Sequence, residues 1–550
     1  NTLTEIFKYE VEAGDVPVII GGIEASLRRF AHYDYWSDTV RRSLLVDSKA
    51  DALIYGMGEK QILELAKALD ENRFVEKLPS IKGVCYMSKT LPEGKVVECP
   101  SYEIVKEDKR QFAEAFRLQY YEQDPFIGKT VAQLHGDRYV IQNSPALPLT
   151  QAEMDEVYSL PFSRHWHPRY DAKGGVPALS EVQFSLVSHR GCFGSCSFCA
   201  ITSHQGRIIQ NRSHESLIAE AERMIAMPDF KGYIHDVGGP TANFRHTACQ
   251  KQGTKGACPG KNCAAPHACE NLDTSHDDYL AILRKLRKLN GVKKVFVRSG
   301  LRYDYVLEDN NREFVKELCE HHVSGQLKVA PEHVSEAVTE IMGKADKNVF
   351  LKFKDWFETA NRQLGKKQFL VPYFMSSHPG CTLADAVELA EFLRDQKMTP
   401  EQVQDFIPTP GSLSTAMYYT GINPLTGETV YVAKKGRDKA MQRALMQYKN
   451  PDNYDLVREA LVKAGRTDLI GFGPLCLIPP RPIGRNKVGN QHSKQGVNRR
   501  SKSQSKQQST NKTSGRQSSG RQQTAKMNDR GKISISKQSK RGGLAGNRRP

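Results

Sequence analysis

Three cysteines lie within eight residues of this sequence, in the segment GCFGSCSFCA at positions 191–200. They are Cys192, Cys196 and Cys199, and Phe198 directly precedes the last of them. A structural zinc ion usually takes four ligands, so this group is one thiol short of a closed site. A cubane iron–sulfur cluster held by only three thiolates keeps one iron open for a substrate or cofactor. The spacing therefore favours a [4Fe–4S] cluster with one open iron.

Two other uses of these thiols stay open from the sequence alone. His204 would supply the fourth ligand of a zinc site. Cys196 and Cys199 have the C-x-x-C spacing of a thioredoxin-type redox pair. Neither alternative explains why Cys192 and Phe198 stand beside them.

Four more cysteines follow in the segment RHTACQKQGTKGACPGKNCAAPHACE. They are Cys249, Cys258, Cys263 and Cys269, separated by eight, four and five residues. This segment is polar and contains several glycines, so it offers no apolar core in which four thiols would simply pack. Four thiolates satisfy either zinc or an auxiliary iron–sulfur cluster, and the sequence predicts a second metal site with that choice open. The remaining cysteines are expected to pack in the interior: Cys85, Cys99, Cys319, Cys381 and Cys476.

The elements that must position these thiols come from a regular alternation of short apolar and amphipathic segments. Six candidate strands are found at residues 182–188, 232–238, 293–299, 325–330, 368–375 and 403–408. Helical patterns separate them at residues 215–227, 277–289, 312–322, 350–364 and 383–396. Ser275 with Asp278, and Thr382 with Asp385, have the spacing of helix N-terminal capping boxes. Strands alternating with helices predict a parallel βα array that right-handed crossovers curl into a partial or complete barrel.

In such a barrel the functional loops lie at the carboxyl ends of the strands. The three-cysteine segment directly follows the first predicted strand. The four-cysteine segment lies between the second strand and the helix after it. Both groups of thiols are therefore expected on the same face of the barrel.

The rest of the chain divides into further regions. Residues 16–30 and 50–69 each have the pattern of a strand, a glycine-containing turn and a helix, which predicts a Rossmann-like α/β domain. Those turns are suited either to a phosphate or cofactor, or simply to connecting a strand with a helix. The expected regions are this domain at 1–145, a connector at 146–180, the barrel at 181–411 with a cysteine-rich insertion at 241–275, a helical extension at 412–480 and a tail at 481–550. Because the chain starts at Asn1 and not at Met, we expect it to be either processed or a piece of a longer protein.

The formal net charge of +17 is concentrated in the tail. Residues 481–550 contain 19 lysines and arginines and one acid, Asp529, whereas the first 480 residues hold 60 basic and 61 acidic side chains. The tail is rich in Ser and Gln and poor in large apolar residues, which predicts disorder. Such a polybasic segment either binds RNA or another polyanion, or serves solubility. The chain shows no membrane-length apolar stretch and no signal-peptide pattern, so a cytoplasmic location is expected.

The C-x3-C-x2-C motif after the first barrel strand resembles that of the radical S-adenosylmethionine (SAM) enzymes. Four further segments look closely like the YgiQ-like family of bacterial radical SAM proteins: GGPTANF, LKVAPEHVSEAVTEIMGK, SSHPGCTLADAVELAEFL and IPTPGSLSTAMYYTGI. The resemblance covers most of residues 10–480. It implies an α/β protein with a partial (β/α) barrel of the radical SAM type and an N-terminal Rossmann-like unit; the disordered basic C-terminal tail predicted from composition lies outside it.

The same resemblance implies a function. A [4Fe–4S] cluster on Cys192, Cys196 and Cys199 would bind SAM at its open iron. One electron from the cluster would cleave SAM to a 5′-deoxyadenosyl radical, which modifies a substrate that the sequence does not identify. A flavodoxin- or ferredoxin-like one-electron donor is the implied partner.

Individual positions also match the SAM site of the superfamily. Gly238 and Gly239 match the Gly-Gly-Glu segment whose backbone receives the SAM amino group, with Pro240 in place of the Glu. Lys328 and Glu332 match the place where polar side chains hold the SAM ribose and carboxylate, and an ion pair between the two is the alternative. The SSHPG segment stands where the adenine-binding fifth strand ends. The Asp-x-His-x-x-Gly signature of cobalt ligation does not occur in the sequence, so cobalamin is not predicted.

Two rival functions follow from the same features. One is a methylthiotransferase-like enzyme that modifies tRNA and uses the tail as an electrostatic tether. The other is a non-enzymatic, zinc-dependent RNA-binding protein in which both cysteine groups are structural. The barrel pattern favours an enzyme, and the tail alone favours a nucleic-acid binder.

Overall fold

The structure is a computed structural model that describes residues 16–309, 311–400 and 403–480. The predictions for residues 1–15 and for the basic tail at 481–550 lie outside the described residues. Within the described part of the chain, every helix is too short or too polar to cross a membrane.

The N-terminal region is built on a mixed β-sheet. Its strands are β1 (Ile19–Ile20), β2 (His32–Asp34), β3 (Thr39–Arg41), β4 (Ala52–Ile54), β5 (Val84–Ser88), β6 (Val96–Cys99), β7 (Thr130–His135) and β8 (Arg138–Gln142). Six of them form one sheet in the order β1-β4-β5-β8-β7-β6, and β2 pairs with β3 separately. Its helices are α1 (Gly22–Leu27), α2 (Leu44–Ser48), α3 (Glu59–Asp70), α4 (Phe74–Lys77), α5 (Tyr102–Glu107), α6 (Lys109–Tyr121) and α7 (Gln151–Ser159).

Both predicted strand, turn and helix units are present here, as β1 followed by α1 and β4 followed by α3. The sheet nevertheless differs from a fully parallel Rossmann sheet. Only the pairs β1–β4 and β6–β7 are parallel, and the other neighbours are antiparallel. The reason lies partly in the connections, because only Gly136 and Asp137 separate β7 from β8. A turn of two residues joins antiparallel strands, whereas a parallel connection needs roughly a dozen residues or more.

The second region contains the βα array. Its strands are β9 (Ser185–Val187), β10 (His189–Arg190), β11 (Gln210–Asn211), β12 (Tyr233–Ile234), β13 (Asp236–Gly238), β14 (Lys294–Val295), β15 (Gln326–Glu332), β16 (Phe369–Ser376) and β17 (Gln404–Asp405). The pairs β9–β13, β12–β14, β15–β16 and β16–β17 are all parallel. A parallel bridge from Leu301 to Val329 continues the array from its third to its fourth strand. All six predicted strands are confirmed, with the second divided into β12 and β13.

Helices separate these strands as the amphipathic patterns predict. They are α8 (Leu179–Val182), α9 (Ile201–Gln205), α10 (His214–Ile225), α11 (Gln252–Lys255), α12 (Asp277–Arg287), α13 (Tyr303–Glu308), α14 (Glu313–Glu317), α15 (Glu336–Met342), α16 (Lys347–Gln363) and α17 (Leu383–Asp395). The pattern predicted at 312–322 is α14 continued by a π-helical segment, Leu318–His322. Helix α16 buries Phe350, Phe353 and Phe357 in the core, where the first two contact the Tyr303 ring of α13, and each contributes about 1.5–3 kcal/mol of hydrophobic stabilisation.

One of the two predicted capping boxes is present and the other is wrong. Thr382 and Asp385 form the reciprocal pair at the start of α17. Helix α12 instead begins after His276, which makes no side-chain capping bond. Asp278 is unavailable as a capping partner because its carboxylate oxygens contact Arg245 and His214, each at 2.9 Å. Arg245 and His214, two partners from distant segments, therefore take the carboxylate that the local spacing assigned to the cap.

The C-terminal extension packs on the barrel, as predicted. Its helices are α18 (Leu413–Thr420), α19 (Gly436–Met446) and α20 (Tyr454–Lys463). Gln442 of α19 is buried and accepts a hydrogen bond from the Ser377 amide at 2.9 Å. Its side-chain amide donates to the Cys381 carbonyl at 2.8 Å. The extension thereby holds the loop that follows the fifth barrel strand.

Candidate active site

The three-cysteine loop leaves the barrel through a glycine that no other residue can replace without strain. Gly191 follows β10 with φ of 86°, a conformation that side chains disfavour. A Cβ atom at this position would lie 2.2 Å from the Ile208 carbonyl oxygen. Directly after this glycine, Cys192 donates its amide hydrogen to the Gly206 carbonyl at 3.1 Å. The start of the loop is therefore packed against the segment that follows α9.

Cys192, Cys196 and Cys199 lie on this loop as free, partly buried thiols. Burial raises the pKa of Cys192, and it raises the pKa of Cys199 to about 12. The Cys196 thiol raises both values further, which shows that the three groups act on one another. Within the described residues no three Cys, His, Asp or Glu side chains are grouped as ligands of one metal ion. The case for a metal site at this loop thus rests on the chemistry of the three thiol groups. Adjacent buried thiols ionise together only when a positive charge lies beside them.

A buried arginine supplies such a charge, and the sequence analysis missed it. The Arg302 Nη1 group donates to the Cys196 sulfur at 3.5 Å and to the Gly194 carbonyl at 3.5 Å. Arg302 also pairs with Asp304, with 2.8 Å between Nε and Oδ1. A Cβ atom at Gly194 would lie 2.6 Å from Nη1, so glycine is what allows this approach. The loop therefore has a fixed cation beside its thiols.

A second supporting contact comes from His378 in the SSHPG segment. His378 is fully buried, and burial lowers its pKa to about 3, so the ring is neutral. Its Nδ1–H donates to the Pro379 carbonyl at 2.7 Å, and Nε2 accepts from the Ser414 hydroxyl at 2.7 Å. Ser414 also donates its amide hydrogen to the Ser197 carbonyl at 2.9 Å. Ser197 lies between Cys196 and Cys199 in the sequence. These contacts therefore hold the cysteine loop in position.

Glu332 is buried near the cysteine loop, whereas Lys328 is exposed and lies away from this site. Glu332 is buried in a left-handed conformation with φ of 67°, at a register shift of β15. Burial raises the pKa of its carboxyl group. Its cationic partner is Lys344 at 4.0 Å, and the Lys344 ammonium lies 6.0 Å from the centre of the Phe198 ring. Lys328 is exposed, and the alternative of a Lys328–Glu332 ion pair is not what the structure contains.

Gly238 and Gly239 end β13 directly beside the first loop. A Cβ atom would lie 2.7 Å from the Ser299 hydroxyl oxygen at Gly238 and 2.6 Å from the His189 ring at Gly239. Two residues on, the Thr241 hydroxyl lies 3.5 Å from the Cys192 sulfur. Close packing accounts for both glycines, and Thr241 places this segment next to Cys192.

His204 contacts the N-terminal region. Its Nδ1 atom lies 2.9 Å from the Ser26 hydroxyl oxygen, which also accepts a hydrogen bond from the Gly56 amide at 2.9 Å. The glycine turn after β4 thus contacts α9, which carries His204. These contacts account for the position of His204 without a metal ion. They give no support to a zinc site in which His204 is the fourth ligand.

Two neighbouring cavities lie between the cysteine loop and the N-terminal region. One has a volume of about 60 Å³ and is lined by Cys196, Cys199 and Tyr120, among others. The other has a volume of about 80 Å³ and reaches the Gly56 turn. Arg207 lines both cavities. Cys196 and Cys199 therefore line a cavity whose opposite wall comes from the N-terminal region.

The four cysteines of the insertion act on one another electrostatically, although no three of them are grouped as ligands of one metal ion in this described segment. The pKa of Cys263 is raised by burial and, further, by the thiols of Cys249, Cys269 and Cys258. All four are partly buried and free of disulfides. Of the cysteines expected to pack, Cys85, Cys99, Cys319 and Cys381 are buried and Cys476 is partly buried.

Three domain families match the chain. Residues 5–185 match the radical SAM N-terminal domain, and residues 186–393 match the radical SAM superfamily domain. Residues 401–548 match a domain of unknown function, DUF3362, so this similarity continues through the basic tail.

The curated relatives are similar over nearly the whole chain. A UPF0313 protein of Clostridium botulinum (strain 657 / Type Ba4) is 58% identical over 480 residues, which cover 87% of this chain and 74% of the relative. A UPF0313 protein of Clostridium perfringens (strain 13 / Type A) is 53% identical over 515 residues, which cover 93% of this chain and 77% of the relative.

Solved structures are only distantly similar. The radical SAM methyltransferase TsrM from Kitasatospora setae, with tryptophan substrate and a SAM analog bound, gives a TM-score of 0.39 at 16% identity, covering 72% of this chain and 56% of that chain. The same enzyme with cobalamin and a [4Fe-4S] cluster bound gives 0.39 at 13% identity, covering 82% and 83%. A likeness of this degree supports no inference about ligands or substrate.

Proposed function

Because the chain belongs to the UPF0313 (YgiQ-like) family and contains a radical SAM domain, we propose that Cys192, Cys196 and Cys199 bind a [4Fe–4S] cluster that uses SAM. The radical SAM domain makes the chain an enzyme and leaves its reaction open. The observation that carries the proposal is the cysteine loop itself, with three free thiols after the first barrel strand and the Arg302 guanidinium 3.5 Å from the Cys196 sulfur. Three thiolates leave one iron of a cubane open, and SAM is the proposed ligand there.

When bound, such a cluster would supply one electron that cleaves SAM to a 5′-deoxyadenosyl radical. The residues of the chain have supporting tasks. Arg302 offsets the negative charge of the thiolates. His378 and Ser414 keep Ser197, and with it the loop, in position. We assign Gly238 and Gly239 to the backbone that receives the SAM amino group.

Glu332 is the better placed of the two residues proposed to hold the ribose and carboxylate of SAM. It is buried beside Lys344, whose ammonium group lies near Phe198 of the cysteine loop. Lys328 remains proposed for the same task from its exposed place on β15. An external one-electron donor of the flavodoxin or ferredoxin type is the proposed partner, because the cluster must be reduced before each cleavage.

The test is an anaerobic comparison of the full-length protein with a triple variant, Cys192→Ala/Cys196→Ala/Cys199→Ala. The triple variant is expected to lose about four irons and their sulfides, and with them reductive formation of 5′-deoxyadenosine. Cys476→Ala is the matched control, since this partly buried cysteine lies in the C-terminal extension. Undiminished SAM cleavage by the triple variant sinks the proposal.

Acid-labile sulfide in the wild-type protein also separates the cluster from a zinc module. The radical SAM domain favours an enzyme over the non-enzymatic zinc-dependent RNA binder. Modification of tRNA stays an untested alternative, because the tail on which it depends lies outside the described residues.

A further inference from the structure

The cysteine-rich insertion has little regular structure to hold it in place. Among its residues from Thr241 to Ser275, the structure forms a single helix, the four-residue α11. The apolar side chains buried within it are small, apart from Phe244: Ala242, Ala248, Ala257, Ala264 and Ala265. Burial of so few methyl groups does not offset the entropy of ordering such a segment. Another interaction must order it.

Hydrogen bonds connect the backbone around these cysteines and reach two of their sulfurs. The Cys269 amide donates to the Cys263 carbonyl at 2.9 Å, and the Gln252 amide donates to the Cys249 carbonyl at 3.1 Å. Gln252 is itself buried, and its side-chain amide donates to the Cys263 sulfur at 3.6 Å. The Lys251 ammonium donates to the Cys258 sulfur at 3.4 Å. Two N–H donors therefore point at sulfur, an arrangement that suits thiolates better than neutral thiols.

We propose that Cys249, Cys258, Cys263 and Cys269 form a closed four-thiolate metal site that builds one wall of the cavity beside the first cysteine loop. Four thiolates complete the coordination of zinc or of an iron–sulfur cluster, so no position is left for SAM. Metal binding would provide the ordering free energy that the small apolar core lacks.

The connection to the first loop is direct. Arg207 donates to the carbonyls of Cys258 at 2.9 Å and Lys261 at 2.7 Å, and the same arginine lines the cavity beside Cys196. Ala257 and Pro259 line that cavity as well. The metal site thus fixes the residues that hold Arg207 at the cavity.

A shared aromatic cluster makes a second connection. Phe193 follows Cys192 and stacks on Phe244 of the insertion, with 3.7 Å between ring centroids. Tyr305 meets the edge of Phe244 at 5.2 Å. Cys192 and Cys263 both pack against this cluster. Loss of the second metal is therefore expected to loosen the first loop as well as the insertion.

The test uses the full-length chain in the Cys192/Cys196/Cys199 triple-alanine background, where the first cluster has lost its ligands. The protein is reconstituted anaerobically with zinc alone or with iron and sulfide, and the bound metal is measured. Retained zinc without sulfide identifies a zinc site, and retained iron with sulfide identifies a cluster. Either result supports the proposal, and no bound metal under both conditions overturns it. Failure of SAM cleavage in the wild-type protein would count against the proposed function without changing this result.

A labelling measurement locates the metal without removing further cysteines, which could prevent folding. Cys249, Cys258, Cys263 and Cys269 are expected to resist alkylation until a chelator is added, whereas Cys476 reacts in both states. Equal labelling of the four with and without chelator, in protein that holds metal, overturns the assignment. Lys251→Met removes only the donor to the Cys258 sulfur and should weaken metal retention by about 10-fold, as expected for a residue that supports a ligand. Lys255→Met, at the last residue of the short helix α11 that Lys251 precedes, is the matched control.

Discussion

The contact between Arg302 and Cys196 makes a quantitative prediction about the proposed cluster. A cation beside a cluster stabilises the reduced, more negative state more than the oxidised state, so removing it lowers the reduction potential. At the 3.5 Å between Nη1 and the Cys196 sulfur, Coulomb's law with an effective dielectric constant of about 20 gives an attraction of roughly 5 kcal/mol for isolated charges. Asp304 cancels part of this, because its carboxylate pairs with the same guanidinium at 2.8 Å.

A hydrogen bond from a charged donor contributes about 1.5–3 kcal/mol net. For a one-electron couple, 59 mV corresponds to about 1.4 kcal/mol, so the largest expected change is about 60–130 mV. The variant is Arg302→Gln/Asp304→Asn, which removes the ion pair without leaving a buried, unpaired carboxylate. Its midpoint potential should be more negative than that of the wild-type protein by an amount within this limit.

The measurement is a redox titration monitored by electron paramagnetic resonance on the reconstituted full-length protein. Arg466→Gln/Asp468→Asn is the matched control, because it removes an arginine and an aspartate at the same spacing from the C-terminal extension. The control should leave the potential unchanged. A folded Arg302→Gln/Asp304→Asn variant that holds its cluster at the wild-type potential would refute the reasoning.

Three further predictions concern the loop and the fold. His378→Ala should reduce the iron content after reconstitution while the protein stays folded, because Ser414 loses its partner; full iron content would contradict this. Gly191→Ala should lower the unfolding temperature more than Gly136→Ala, since both glycines have positive φ but only Gly191 has backbone within 2.2 Å of the added Cβ. Equal effects of the two would show that this contact is unimportant. The free energy of unfolding, measured with denaturant, should fall as the pH is lowered from 6.5 to about 4. The reason is that buried histidines protonate in the unfolded chain at a higher pH than in the folded protein. Each such histidine lowers the free energy of unfolding by up to about 1.4 kcal/mol per pH unit. These histidines, whose folded pKa lies at about 3 or 4, are His32, His135, His189, His322, His333 and His378; constant stability over this range would contradict the assignment.

The barrel was predictable because its signals are local. Each strand of the array is a short apolar segment between amphipathic helices, and all six were found at the predicted places. The position of the three cysteines followed from the same pattern, since the loop comes directly after the first strand. The N-terminal sheet was harder, because β5 pairs in antiparallel fashion with the distant β8, so the order of its strands does not follow the order of the chain.

The contacts that support the cysteine loop could not be predicted for a related reason. Arg302 is 106 residues from Cys196, and His378 is 181 residues from Ser197. Nothing in the local sequence marks either residue as a neighbour of the loop. The failed capping box at Ser275 has the same origin, because Arg245 and His214 take the Asp278 carboxylate. Long-range electrostatics decided each of these positions.

The central claim is that SAM binds the open iron of a cluster held by Cys192, Cys196 and Cys199. The most direct measurement is pulsed electron paramagnetic resonance of the reduced protein with SAM labelled by ¹⁵N in its amino group and ¹⁷O in its carboxylate. Direct chelation predicts hyperfine coupling of both nuclei to the cluster, and loss of both couplings in the triple-alanine variant. A reduced cluster that shows neither coupling at saturating SAM would contradict the account.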